Sequence, residues 1–313
     1  MVSPSDFVTI PFEDWVNVFV RGFLVPNFRE FFRAIQVPVT AVLQDLDFFF
    51  NWLPMIVFTV VLALIAWRTA GKGIAIFTVI AMCFIDMIGM WSQTMTTLAM
   101  VVTGVLFCAV IGIPLGIISA GSETARKIIR PILDIMQTIP SFVYLVPIVM
   151  LFGVGIAPGV IATIVFALPP IIRLTDLGIR QVPADLIEAA ESFGSTRWQK
   201  LIEVQLPVAL RTIMAGLNQT LMLSLSMSVI AALIGAGGLG LVVNTGLGRL
   251  DVGLATAGGV GIVLIAIVLD RITQGLAERR SVGTVSLWQT LASFFRLNSP
   301  RHEESKLTEE RVG

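Results

Sequence analysis

The sequence predicts an all-α fold, a polytopic membrane bundle of about seven transmembrane helices with a folded loop on its inner side. Three observations carry that expectation. Of 313 residues, 56% are hydrophobic and only 13% charged, with a mean hydropathy of +0.89. Long uncharged runs recur at 51–67, 73–122 (interrupted only by Asp86), 135–172, 212–248 and 252–269, and about 20 apolar residues cross a bilayer. The basic residues between these runs collect on one side. The balance of 21 Lys+Arg against 21 Asp+Glu leaves no global field to hold nucleic acid. The one histidine, His302, lies in a polar tail, which argues against a histidine metal or catalytic site. Cys83 and Cys108 sit in apolar runs and read as packing thiols.

In chain order, residues 1–50 open with no basic start followed by an apolar core, so no cleavable signal is expected. Residues 7–36 mix aromatics such as Trp15, Phe19, Phe23 and Phe31 with charges such as Glu13, Arg21 and Arg33. That pattern suits an extracytoplasmic, interfacial amphipathic segment. Turn residues then cut the long runs: Trp91-Ser92-Gln93, Gly153 to Pro158, and the Gly-rich stretch from Gly235 to Gly248, which reads as a loop. Spans are expected near 52–68, 73–91, 94–120, 131–153, 156–173, 211–234 and 252–270. Arg68, Lys72, Arg126, Lys127, Arg130, Arg173, Arg180, Arg197, Lys200 and Arg211 then fall on one side and only Arg249 on the other. By the positive-inside rule the first side is cytoplasmic, the N-terminus is outside and the C-terminus inside. Residues 51–275 form the membrane domain. Residues 276–313 form an inner-surface amphipathic helix, with Leu287, Trp288, Leu291, Phe294 and Phe295 at helical spacing after Ser286, and then a polar tail.

The inner loop, about 174–210, carries helical signals of its own. Pro183 suits the first turn of a helix through Glu191, and Gly194 suits its left-handed stop. Thr196 and Gln199 have capping-box spacing, so a second helix is expected to run to about Val204, where Pro207 prevents further regular bonding. Read residue by residue, Glu188-Ala189-Ala190, three residues, Gly194, nine residues, then Val204-Gln205-Leu206-Pro207 resembles the signature of binding-protein-dependent ABC importer permeases. The family usually has Ile where this chain has Val204, an exchange that keeps a β-branched apolar side chain. The resemblance implies that the loop is a coupling helix seated in a cleft of a cytoplasmic ATPase. Glu188, Ala189, Ala190, Gly194, Leu206 and Pro207 are then the coupling residues. The text from Leu177 to Gly240, then Gly248 to Gly253 and Leu269 to Gln274, is similar to the glycine betaine/proline betaine permease subfamily. The likeness covers about 50–275, the ABC transporter transmembrane domain.

What the resemblance implies is a permease subunit of an ATP-driven importer in the bacterial inner membrane. Its cargo would be glycine betaine, proline betaine or choline, and its partners an ATPase, an extracytoplasmic binding protein and a second permease copy, with a homodimer the economical arrangement. Gly235 to Gly240 matches a dinucleotide fingerprint in spacing, but it follows a membrane helix and no strand. With no phosphate loop in the chain either, ATP and magnesium belong to the partner ATPase. No metal site, nucleic-acid contact or enzymatic centre is expected, and membrane lipid is the surrounding partner.

Residues that could line the passage are Asp86, the one acid placed well inside a span; Thr220, Ser224 and Ser228, a small polar stripe with Asn218 beside it; and Tyr144, whose ring suits a trimethylammonium group. Helix packing explains the stripe equally well. Asp134 is expected to pair with Arg130. Small residues every fourth position, Gly104-Cys108-Gly112-Gly116 and Gly253-Ala257-Gly261, read as close helix contacts. Two rivals remain: an amino-acid permease, for methionine for example, since the coupling loop does not encode cargo, and a secondary transporter, which would need more intramembrane ionisable groups.

Overall fold

The computed structural model describes residues 11–296, and every regular segment among them is helical. The N-terminal part is α1 (Phe12–Asn17), a π-helical stretch Val18–Leu24 and α2 (Val25–Trp52). Then come α3 (Met55–Ala70), α4 (Lys72–Met87) and α5 (Trp91–Gly121), followed by α6 (Glu123–Thr138), a 3-10 turn at Ser141–Tyr144, α7 (Leu145–Phe152) and α8 (Ile156–Arg180). The inner loop holds α9 (Ala184–Ser192) and α10 (Arg197–Gln199). The chain continues through α11 (Leu206–Ala231), α12 (Gly238–Gly248) and α13 (Val252–Arg296).

Four helical runs are long and apolar enough to cross a membrane: 91–121, 156–180, 197–234 and 252–277. The number rises to six if each of two bent pairs is one span, below the seven expected. The reason lies in two X-Pro steps and two short helices. The residue before a proline is pushed out of the helical region; Leu53 and Ile139 are both extended, with ψ near 127° and 126°. Their helices bend by 106° and 105° there, so the span expected at 131–153 is α6 and α7 meeting at an angle. Helices α3 and α4 form a hairpin of 16 residues each around Gly71, whose φ of +96° suits glycine. Sixteen residues reach about 24 Å, short of the roughly 30 Å hydrocarbon core.

The ends of the helices sort into two sets. At one end the Arg180 guanidinium donates to the Ser119 carbonyl at 2.9 Å, Gly178 abuts Ala209 and Thr212, and Gly275 abuts Thr69. At the other the Ser92 hydroxyl donates to the Asn51 side-chain oxygen at 3.1 Å, and the Gly155 amide to the Ile234 carbonyl at 2.9 Å. The ten basic residues counted above belong to helices and turns of the first set. Helix α2 lies across the second end. Phe32 meets Phe152 with ring centroids 5.5 Å apart, Val39 and Leu43 enter the main core, and Asn51 reaches Ser92. A division at residue 50 falls inside this helix.

Helix α8 is the most enclosed element. The stripe on α5 is its packing seam: a Cβ on Gly104 would touch Thr163, one on Gly112 would overlap Ile171 and one on Gly116 would sit 2.5 Å from the Thr175 Cβ, while the Cys108 thiol points at the Ile164 carbonyl, 3.5 Å away. On α13, Gly261 of the expected stripe packs against the Leu239 side chain of α12, while Gly258, one position off the stripe, meets Val242 and Val243 and Gly253 meets only the Asp251 side chain. The Gly-rich stretch is no plain loop. After a turn through Gly235 it forms α12, which is held to α5 by the Leu239 amide donating to the Thr97 hydroxyl at 2.8 Å.

The final helix runs unbroken from Val252 to Arg296, so the separate amphipathic helix expected after Ser286 is a continuation of the last span. His302 and the polar tail lie outside the described residues. Where α13 crosses α3, a Cβ at Gly275 would come within 2.6 Å of the Thr69 carbonyl carbon. Backbone cannot yield as a side chain does. Gly275→Val is therefore expected to cost about 3 kcal/mol, the upper part of the overpacking range, read as a lower melting temperature of the purified protein. An unchanged melt would mean that the crossing is looser than drawn.

Candidate functional site

The inner loop is built by local rules. Pro183 (φ −54°, ψ 137°) is the cap before α9, one position earlier than expected. At the far end the Ser195 amide donates to the Ala190 carbonyl at 3.0 Å and the Gly194 amide to the Glu191 carbonyl at 2.9 Å, with Gly194 left-handed at φ +78°. This pair of bonds is the Schellman closure that glycine permits. The next helix starts with the full capping box: the Gln199 amide donates to the Thr196 hydroxyl at 3.3 Å and the Thr196 amide to the Gln199 side-chain oxygen at 2.9 Å. Lys200 pairs with Glu191 across the turn.

The helix does not stop near Val204. It passes through a π-helical segment, Lys200–Gln205, directly into α11. The i→i+5 register re-phases the ladder just before Pro207, which has no N–H to give, so the proline sits in the first turn of α11 without breaking it. Movement of the loop is thereby joined to a continuous helical run, 197–234.

The loop presents an apolar surface. Glu188 and Ala189 are exposed and Ala190 half-buried; around them Phe193 is 91% and Trp198 71% exposed, with Leu186 and Ile202 also outward. Leu206 packs against the main core and Pro207 is exposed. Phe193 and Trp198 were not among the residues singled out by the sequence, although aromatics in an otherwise polar stretch were the available signal.

Behind the loop stands a second feature that the sequence reading missed. Asp176 was assigned to the connection after a span ending at 173, but α8 runs to Arg180 and the Asp176 side chain is only 7% exposed. Arg180 Nε donates to it at 2.9 Å, Arg126 Nε stands at 3.5 Å and Arg130 at 3.9 Å. Arg180 also bonds Glu123 and the Ser119 carbonyl. One cluster thus ties together the ends of α5, α6 and α8 nearest the loop, four residues before α9. Its hydrogen bond from Arg180 holds the Glu123 carboxyl below its usual 4.5. That contribution is therefore present above the ordinary value and lost as pH falls through the lowered one. Asp134 pairs with Arg173 at 2.5 Å rather than with Arg130, because the charged face of α6 is turned toward α8.

The residues considered for a passage are scattered. Asp86 occupies the last turn of α4 and is exposed at the end of the bundle that bears α2, so it is not an acid deep inside a span; the helix ends at Met87, short of the expected 91. Thr220, Ser224 and Ser228 are fully buried. Their hydroxyls donate to the carbonyls of Ala167 (3.1 Å), Thr220 (2.8 Å) and Leu225 (2.7 Å), in the contact of α11 with α8 and α5. Asn218 donates to Asp270 at 2.9 Å and accepts from Thr273 at 2.5 Å, tying α11 to α13. Tyr144 is buried with its hydroxyl on the Met136 carbonyl and its ring 6.1 Å from Phe166, bracing the bend between α6 and α7.

A capped helix pair joined directly to a membrane helix is the feature that comparison with known proteins makes specific. Residues 112–282 match the model of the binding-protein-dependent transport system inner membrane component. The chain belongs to this family. Among such permeases it is 54% identical over 301 residues to the glycine betaine/proline betaine transport system permease protein ProW of Escherichia coli, covering 96% of this chain and 84% of that one. It is 46% identical over 271 residues to the glycine betaine transport system permease protein OpuAB of Bacillus subtilis, covering 87% and 96%. Among solved structures, a chain of the MetNI methionine ABC transporter in its inward-facing conformation superposes with a TM-score of 0.51 at 26% identity, covering 58% of this permease and 90% of that chain.

Proposed function

We propose that this chain is the membrane-spanning permease subunit of an ATP-driven importer for a quaternary-ammonium osmoprotectant, with glycine betaine the first candidate. The observation that carries the reading is the inner loop. It is an exposed, prefolded helix pair with an apolar surface, rigidly continued into a membrane helix, in a family member more than half identical to a betaine permease.

The end bearing the loop and the ten basic residues faces the cytoplasm, which places α2 outside. A cytoplasmic ATPase receives Phe193, Trp198 and the Glu188-Ala189-Ala190 face in a cleft, and ATP and its magnesium belong to that chain. An extracytoplasmic binding protein delivers cargo to the opposite end. Two permease copies supply two coupling loops, and a homodimer meets that need with one gene product. Closure of the ATPases draws the loops together and exchanges outward for inward access. Since Thr220, Ser224 and Ser228 are engaged within one subunit, we place the passage along other faces, between the two copies.

Labelled glycine betaine uptake into vesicles containing the permease, its ATPase and its binding protein tests this. Uptake is expected only with internal ATP and is expected to be blocked by unlabelled proline betaine or choline. Block by methionine alone would keep the importer and replace its cargo; uptake without the ATPase would remove the importer reading.

A further inference from the structure

A cavity of about 360 Å³ opens beneath α2 at the outer end, lined by Gln36, Thr40, Leu43, Gln44, Asp47, Thr96 and residues 154–158. Its volume lies within the range of small-molecule sites, about 300–1,000 Å³. Three elements build it. One face of α2 contributes Gln36, Thr40, Gln44 and Asp47; the first turn and a half of α5 contributes Thr96; the start of α8 supplies a wall of backbone.

The polar groups are unevenly charged. Asp47 accepts from Asn51 at 3.2 Å through one oxygen, and no lysine or arginine lines the space. Among the described residues the side chains of Gln36, Gln44 and Thr96 make no hydrogen bond, so two amides and a hydroxyl are free to donate. Helix α8 starts without a side-chain cap; the Gly155 amide is taken by the Ile234 carbonyl and Pro158 has none, which leaves the Ile156 and Ala157 amides as the donors of the helix start. The α2 wall thus carries the negative charge, with the Gln44 amide three residues from Asp47 on the same face, while the α5 and α8 walls offer hydrogen-bond donors and no charge.

We propose that this cavity is an outer reception site for a small zwitterion, with the cationic end near Asp47 on α2 and the carboxylate across from it at the Thr96 hydroxyl and the amides that open α8. The assignment of cargo rests on the permease reading above. No aromatic ring lines the space, so cation–π attraction is absent and binding is weak, near about 1 mM. That suits a waypoint between a tight carrier and the passage. Its α2 and α5 walls precede residue 112, where the match to the family model begins, and its α8 wall lies within the match.

The test uses the complete importer in nanodiscs and in vesicles. Titration of labelled glycine betaine onto the permease–ATPase complex without binding protein is expected to saturate in the millimolar range, with choline and pivalate, which carry one charge each, competing more weakly. Asp47→Asn and the cavity-filling Gln44→Trp are expected to raise KM for uptake about tenfold with kcat held, whereas Asp45→Asn, two residues away on the opposite face of α2 and outside the cavity, leaves both unchanged. If titration shows no saturable binding and both cavity variants keep the KM of the unaltered protein, the site is overturned while the permease reading stands. A KM effect that disappears when zwitterionic lipid is omitted would assign the cavity to a headgroup and overturn the solute site. Failure of betaine import by the unaltered importer would remove the cargo reading, and the titration then decides the cavity by itself.

Discussion

Asp176→Ala is expected to destabilise the subunit by about 3–5 kcal/mol, the cost of breaking a buried ion pair from one side. The carboxylate is almost fully enclosed, accepts a hydrogen bond from Arg180 and faces the guanidiniums of Arg126 and Arg130 at 3.5 and 3.9 Å. Without it three guanidiniums stand together, with Glu123, 64% exposed, as the remaining acid of the cluster. Arg180→Ala should cost less, since its side chain is 26% exposed and water can reach what it leaves. Replacing both members by apolar residues of similar volume, Asp176→Leu with Arg180→Met, should recover part of the loss, because the desolvation cost disappears with the charges. Thermal unfolding of the purified permease in detergent reads all three. An Asp176→Ala protein that melts like the unaltered one would show that the cluster is solvated and contributes little.

Gly194→Trp is expected to lower ATP-coupled uptake more than tenfold while leaving membrane insertion intact. Two causes separate. Any side chain at φ +78° pays about 1–2 kcal/mol for left-handed backbone, and Gly194→Ala measures that part alone. The indole adds a second effect that the isolated chain does not contain. A Cβ at Gly194 meets nothing within 4 Å, so the space beside it is open in this chain and the indole clashes when a docked ATPase fills that space. A loss of 1.4 kcal/mol in docking is already tenfold. Uptake by the Trp variant equal to that of the Ala variant would show that the ATPase does not cover this turn.

The contrast between these two sites shows what kind of information a chain carries openly. The loop around Gly194 was legible because its determinants are local: a proline before the helix, a glycine after it, and Thr196 three residues ahead of Gln199. Where local rules met a longer-range register, they misled. Pro207 was read as a stop, yet the π-helical segment before it absorbs the missing donor. The span expected at 131–153 was drawn through Ile139-Pro140, although a residue before proline is poorly suited to helix. Apolar continuity was given more weight than that local signal. Asp176 was hidden for a related reason, because a charge near a helix end looks like loop until the helix is seen to continue beneath it.

By itself the sequence determined that this is an all-helical membrane protein, that its basic residues gather at one end, and where a capped helix pair interrupts the bundle. Those follow from hydropathy, charge counting and bonds between residues a few positions apart. Only the tertiary structure decided the rest. It turned Thr220, Ser224 and Ser228 inward onto neighbouring carbonyls, brought Asp176 under three arginines from two helices, placed Asp86 at an exposed helix end, and laid α2 over an outer cavity. Each depends on which face one helix shows another, and a one-residue change in a helix of 3.6 residues per turn rotates that face by about 100°.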